Sequence, residues 1–423
     1  MVAVSLKKFF FFKQKTAYEI VATVSAFLLN RSSDLYHSLI AAFASFFALS
    51  GIGMWHWLHV QSPRPLLGAI LFMVLPYHLM DFTLRGALAE SLAFALLPSV
   101  AIGLRRVKEG RGGGLLAAAY GLLILSHLPL ALLASLFLIA PYALWHRGRL
   151  WHFAPPLALG IGLSCIFLLP ALGLAPFRDA AQLHADPNLI AENWTIWRAD
   201  FSRSGRSIFL ALCLSLLVVL GVLAILRRDR WAIGGVGVTL LGLGVIPYFW
   251  SLPILEQVQF PWRSLAIAEF ALATALSRVT RISLPVLVAL VPTLLLSAVV
   301  VTFVRISPVA SATTLLTTHR EVTEMLPPGI VRQEREELLA DPAVLKRGRM
   351  PPPQVAGKTV RPIFYFPRWS CGEPEPRTKL LMHPPTCTPE PIMTDWEKAG
   401  AAISLLSLLA IGSFAWVARR RRA

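Results

Sequence analysis

The chain has 423 residues, of which 56% are hydrophobic and 15% charged, with a mean hydropathy of +0.62. That balance excludes an ordinary soluble globule and indicates a polytopic membrane protein. The formal charge of +17 does not mark a nucleic-acid binder, because the cations stand in short clusters between apolar runs: Arg105, Arg106, Lys108 and Arg111; Arg147 and Arg149; Arg227, Arg228 and Arg230; Arg278 and Arg281; Arg419 to Arg422. Such clusters are what the positive-inside rule places in short cytoplasmic loops.

In chain order, the first segment is the odd one. "FFFFKQKTAYEI" has an apolar run far too short for a signal-peptide core. Read back through the genetic code, "KQKTAYEI" (Lys13 to Ile20) fits AAG CAG AAG ACG GCA TAC GAG AT, and "RSSDL" (Arg31 to Leu35) fits CGC TCT TCC GAT CT. Both strings look like sequencing-adapter oligonucleotides in their usual order, so residues 1–35 are expected to be a translated artefact fused in frame to a gene missing its own start.

From there a span needs about 20 mainly apolar residues, fewer if buried or re-entrant. Candidates are 36–58, 65–79, 86–104, 153–172, 208–226, 231–250, 264–280, 284–304 and 399–418. The apolar stretch between Arg111 and Arg147 is interrupted by "SHLP" (Ser126 to Pro129), and its basic ends must share a side, so it reads as a hairpin of two short helices turning near Pro129. The expected fold is therefore an all-α polytopic membrane protein of about eleven transmembrane or half-membrane helices. Tyr36 then lies outside, the terminal "RRRR" inside, and the main basic clusters fall on the cytoplasmic face. The expected domains are 36–304, the multi-span part; 305–398, a small extracytoplasmic β-containing domain; and 399–423, the last span and a basic cytoplasmic tail. In the outer domain "RPIFYFPRWSC" reads as a strand and "TKLLMHPPTCTPEP" as a strand entering a proline-rich turn; "REVTEMLPPG" and "VRQEREELLADPAVLKRGR" read as short surface helices or loops.

Of the four cysteines, Cys165 and Cys213 fall within spans as small apolar packers. Cys371 and Cys387 fall in the outer domain, where a disulfide would staple a unit with little core, against the alternatives of free thiols and of a metal site that also uses His383, whose spacing matches no common zinc pattern. The ten histidines form no metal-binding pattern. His56 and His59 sit beside Trp55 and Trp57 at a membrane boundary, and His127 is read as satisfying backbone carbonyls freed at the proline break, with a catalytic role as the alternative.

"PYHLMDFTLRGALAE" is the most informative stretch. Asp81 and Arg85 are four apart and share a helical face, whereas Glu90, five from Arg85, is expected off that face. Arg85 lies on the outer side near a helix start, where the helix dipole and the charge rule both disfavour a cation, so it either binds an anion or pairs with a capping Asp81. Glu90 is an intramembrane carboxylate, either a functional acid or one half of an internal pair. "EQVQFPWR" repeats the pattern, with Pro261 in the first turn and Arg263 on the outer side. Arg85 and Arg263, with Gln259, could clamp a phosphate or pyrophosphate; lipid-headgroup contact is the alternative for Arg263. "IAENWTIWRADF" spaces Trp194, Trp197 and Phe201 as one face of a helix lying in the outer interface.

At these residues the sequence resembles a known family. "LPYHLMDFTLRGALAESLAFALLP", "LSHLP", "FLLPAL", "QFPWR" and "TDWEKAGAAISLLSLL" look like landmarks of bacterial membrane proteins labelled 6-pyruvoyl-tetrahydropterin synthase-related, a family that resembles the C-type integral-membrane glycosyltransferases (GT-C). The resemblance runs from about residue 36 to the end. The label is not chemistry, since a pterin synthase needs a histidine zinc site that this sequence lacks. What the resemblance implies is an enzyme of the bacterial inner membrane that transfers sugar from a polyprenyl-phosphate donor at the outer face. Asp81 and Glu90 would be its acids, Arg85, Arg263 and Gln259 its phosphate-binding residues, and membrane lipids its surroundings, with any cofactor unassigned. The usual GT-C catalytic acid lies in the first outer loop, which residues 1–35 replace here, so this copy is expected to be truncated. A lipid-linked saccharide transporter or flippase and a non-enzymatic scaffold are the competing classes.

Overall fold

The structure is a computed structural model that describes residues 35–146, 150–177, 190–201, 204–306, 354–355, 358–364, 367–374 and 380–420. The expectations for residues 1–34, and for the two outer segments around 321–349, lie outside them. The described residues divide into two compact units: the larger takes those of Lys13–Ser164, Pro187–Ser311 and Ser404–Ala423, the smaller those of Cys165–Asp186 and Ala312–Ile403.

The larger unit is helical. Its elements are α1 (Leu35–Leu58), α2 (Pro65–Val74), α3 (Pro76–Thr83), α4 (Leu88–Lys108), α5 (Gly114–Ser126), α6 (Leu128–Ala134), a π turn (Ser135–Ile139), α7 (Ala140–Trp145) and α8 (Leu150–Leu163). After α9 (Cys165–Leu174), which belongs to the smaller unit, come α10 (Ser204–Arg227), α11 (Arg230–Gly242), α12 (Leu265–Ser277) and α13 (Leu284–Ile306). Among the described residues five helical stretches are long and apolar enough to cross a membrane: Ile40–Leu58, Leu88–Lys108, Leu128–Trp145, Gly205–Arg227 and Leu284–Thr302. Two broken pairs, Pro65–Val74 with Pro76–Thr83 and Trp151–Leu163 with Cys165–Leu174, raise that to seven.

Two of the remaining expected crossings are short because their helices stop early. The runs 231–250 and 264–280 yield α11 and α12, each of 13 residues, or about 20 Å at the α-helical rise against a hydrocarbon core of about 30 Å. In α11 the stop is set by Gly244, whose φ of +72° ends the helix and whose missing side chain lets the turn lie against Thr195. The break expected at "SHLP" is present: His127 takes an extended backbone between α5 and α6, and Pro129 sits in the first turn of α6, where its missing N–H is not needed.

α12, "LAIAEFALATALS", is buried along its whole length and is the centre of the unit. Around it, helices approach closely where side chains are small. α5 and α8 cross at Gly121 and Gly160, where a Cβ on either would meet the other helix's backbone at 2.9 or 2.8 Å. The basic residues gather at helix ends and cap carbonyls there: Arg105 donates to Trp57 C=O (2.8 Å), Arg64 to Thr280 C=O (2.7 Å) and Arg227 to Arg281 C=O (3.0 Å), while Arg278 pairs with Asp229 at 3.2 Å. Cations at C-terminal carbonyls complement the helix dipole.

The smaller unit carries a four-stranded antiparallel sheet, β1 (Gln354–Val355), β2 (Lys358–Phe364), β3 (Glu373–Pro374) and β4 (Leu380–His383), in the order β1-β2-β4-β3. α9 and the start of α14 (Asp395–Arg420) belong to it as well. Leu381 and Met382 are its buried apolar residues on β4. Cys371 is joined to Cys387 across a separation of 16 residues, and Cys165 and Cys213 are free. A loop of that size contributes about 3 kcal/mol by chain entropy. Alkylation of the denatured, unreduced protein is therefore expected to modify two of its four cysteines, and all four only after reduction; four reactive thiols before reduction would show the bond to be absent.

Candidate functional site

The site grows from two helix breaks. Pro76 opens α3 after a bend of 47° from α2, and proline there removes one donor but leaves the next amides exposed. They are satisfied by a carboxylate from α12: Glu269 Oε1 accepts from Tyr77 N–H (2.7 Å) and Oε2 from His78 N–H (3.0 Å). This is an N-cap supplied from 191 residues away, favourable because an anion at a helix N-terminus also meets the positive end of the dipole. His78 is fixed by Nδ1–H to Phe72 C=O (2.8 Å) and by stacking on Phe94 at 4.3 Å.

The second break lies between Thr83 and Leu88, where Gly86 takes a φ of +56°. It turns Arg85 back along the chain. Arg85 Nη1 donates to Asp81 Oδ1, to Glu90 Oε2 (3.1 Å) and to Tyr77 Oη (3.3 Å), and Tyr77 Oη in turn donates to Glu90 Oε1. Glu90 thus shares Arg85 with Asp81, contrary to the expectation from a continuous helix, because the reversal at Gly86 replaces the helical step that would have separated them. Asp81 is not a cap; it lies inside α3.

Two further elements close on Glu90. His127 Nδ1 accepts the Leu130 N–H (3.1 Å), which places the proton of the neutral ring on Nε2, 3.8 Å from Glu90 Oε2. The ring therefore caps an amide of α6, where the sequence reading had it serving carbonyls. Arg263 donates through Nη1 to Val258 C=O (2.7 Å) and presents Nε 3.7 Å from Glu90 Oε2. Asp81, Glu90, Glu269 and Arg263 are all buried, whereas the Arg85 side chain keeps 25% exposure. Asp81 Oδ2 and Arg263 Nε have no hydrogen-bond partner.

The "EQVQFPWR" loop is built of single 3₁₀ turns, Leu255–Val258 and Pro261–Ser264, leading into α12. Between them Gln259 has φ 62° and ψ −44°, and Phe260 N–H closes onto Val258 C=O at 2.7 Å, a γ-turn of the strained hand. Gln259 itself is buried. The segment expected as an interfacial helix forms only one 3₁₀ turn, Ala191–Trp194, and leaves Trp197 exposed while Trp194 is buried. It cannot continue as a helix because Ile196 N–H is drawn to Leu243 C=O (3.0 Å) and Glu192 Oε1 to Tyr248 N–H (3.2 Å). The two segments meet through rings: Trp194 stands edge-on to Trp262 at 4.2 Å, Trp262 stacks on Phe260 at 4.4 Å, and the Arg85 guanidinium lies 5.9 Å from the Trp262 centroid.

No family model, curated protein or solved structure matches the chain. The structure brings together Asp81, Arg85, Glu90 and Arg263, and places Gln259 in the loop that holds Arg263. Among the described residues there is no group of His, Cys, Asp and Glu side chains able to hold a metal ion. Tyr77, Glu269 and Trp262 were not singled out as site residues. Tyr77 and Glu269 do carry the same signal that marked Glu90, a polar side chain within an apolar run.

The Glu269 cap gives a direct prediction. Glu269→Leu keeps the volume but strands two buried amides, and is expected to destabilise the reconstituted protein by about 2 kcal/mol or more. Thermal unfolding in nanodiscs should show the loss, and hydrogen exchange should show Tyr77 and His78 amides opening faster than in wild type.

Proposed function

We propose that the protein handles a lipid-phosphate-linked saccharide at this site, as a GT-C-like glycosyltransferase of the bacterial inner membrane. The observation that carries the reading is Arg85: a part-exposed cation in a unit of membrane-length helices, held in place by buried Asp81 and Glu90. A guanidinium so anchored is pre-positioned for a phosphate oxygen, since its ion pairs fix its orientation without covering it. Arg263, behind it, acts through Glu90 and not by contact. Asp81 is the carboxylate bonded to that cation, and it would serve as base for an acceptor hydroxyl only where binding opens its buried, unbonded oxygen.

Sidedness is supported by the basic helix ends. If they face the cytoplasm, as the positive-inside rule has it, then the α3–α4 break, at the other end of α4 from Arg105, faces outward, the C-terminal tail lies inside, and the sheet unit is extracytoplasmic. The Glu90–His127 contact favours a transporter as the second reading, because paired titratable groups inside a membrane can relay protons.

With the protein reconstituted in proteoliposomes, a radiolabelled polyprenyl-phosphate hexose should give transfer that falls about 10²- to 10³-fold in Arg85→Ala and less in Arg85→Lys. Unchanged turnover in Arg85→Ala removes that residue from the mechanism. Movement of labelled lipid between leaflets with no new glycosidic product decides for the transporter.

A further inference from the structure

Beside Arg85, the turns Ala191–Trp194, Phe249–Ser251 and Leu255–Val258 pack on one another. In these turns and in the 259–262 stretch that follows the last of them, buried polar side-chain atoms have nothing to bond: both of Gln257, Gln259 Nε2, Glu192 Oε2 and the Trp262 indole N–H. These are deeply placed, with Gln257 1%, Glu192 3% and Gln259 8% exposed. Buried polar groups are almost always paired, and leaving one unmade costs stability, so such a cluster calls for a ligand that can bond it.

Its chemistry narrows the ligand. A phosphate needs donors only, and a lipid tail needs neither donors nor acceptors. Here the two amide nitrogens and the indole donate, while the Gln257 amide oxygen and the Glu192 carboxylate oxygen accept. Hydroxyl groups use both, so a polyol fits. The chain next to these turns carries rings on which apolar C–H faces can pack: Trp262, and the exposed Trp197 and Tyr248. The Glu192 bond to Tyr248 N–H ties two of these segments together.

We propose that this loop cluster is a saccharide-binding subsite, with Gln257, Gln259, Glu192 and the Trp262 N–H bonding ring hydroxyls next to the phosphate-facing Arg85. The proposal deepens the reading of the site given above and rests on it. The γ-turn at Gln259 is the strained link of the loop, and strain of this kind persists where surrounding contacts enforce it.

The test uses the nanodisc-reconstituted full chain with two probes, a short-chain polyprenyl-phosphate hexose and the same polyprenyl phosphate without sugar. Wild type should bind the first at least about tenfold more tightly, the equivalent of one extra good polar contact set. Gln257→Leu and Gln259→Leu should bring that ratio to within about twofold, while Arg85→Ala weakens both lipids alike. Without ligand, Gln257→Leu should melt at a higher temperature, because the substitution removes two unbonded atoms. Equal wild-type affinity for the two lipids, or a lower melting temperature in Gln257→Leu, overturns the subsite. If neither lipid binds, the phosphate reading fails by itself, and titration with unlipidated hexoses and disaccharides decides the subsite: binding lost in Gln257→Leu supports it, and no binding overturns it.

Discussion

A helix that breaks inside apolar surroundings must find partners for the backbone groups it frees, and this constraint shapes the larger unit. Without water, each orphaned amide or carbonyl costs several kcal/mol. The chain breaks before Pro76, between Thr83 and Leu88, at His127 and from Gly244 to Ser264. Side chains close three of the four: Glu269 takes the α3 amides, His127 Nδ1 takes an α6 amide, and in the last break Glu192 takes Tyr248 N–H and Arg263 takes Val258 C=O. The closing groups are charged or titratable, so the repair of the breaks is also what assembles the candidate site.

The charges themselves are another matter. Asp81, Glu90, Arg85 and Arg263 balance in sign, and Arg85 with Tyr77 gives Glu90 hydrogen bonds to both oxygens. Burying such a cluster still carries a desolvation penalty that is offset only when every lone pair and proton is used. Here they are not all used: Asp81 Oδ2 and Arg263 Nε are left over. Stability alone would be served better by apolar residues of the same volume, so the network is more economically understood as a scaffold for the one member that reaches the surface, Arg85.

Composition and the basic clusters were enough to read a multi-helix membrane unit, and local patterns located the "SHLP" break, the β2 and β4 strands and the pair Cys371 and Cys387 that the structure joins. Asp81 with Arg85 was legible from spacing. Glu90 was misplaced because helical-face reasoning assumes an unbroken helix, and the sequence does not say that Gly86 reverses the chain. Glu269 was missed for a different reason: its partners are 192 and 191 residues away, a pairing no local window contains. The runs 231–250 and 264–280 give helices of only 13 residues each, because hydropathy measures apolarity and not where a residue such as Gly244 ends a helix.

α12 is the element that unites these observations. Its thirteen residues are all buried, so its position is fixed by packing on every side, and a buried helix of this kind is a stiff platform. Glu269 projects from it to hold α3, and thereby Tyr77 and Asp81; Arg263 precedes it by a single 3₁₀ turn and reaches Glu90 on α4. The acidic and basic residues of the site are thus referred to one rigid axis, while the turns carrying Glu192, Gln257 and Gln259 are irregular backbone tied to it by the Arg263 bond to Val258 C=O and the Trp194–Trp262 contact. A ligand entering beside Arg85 would meet a fixed charge array on one side and the polar loop on the other. On the proposed function, the charge array would hold the phosphate and the loop would bond what the phosphate carries.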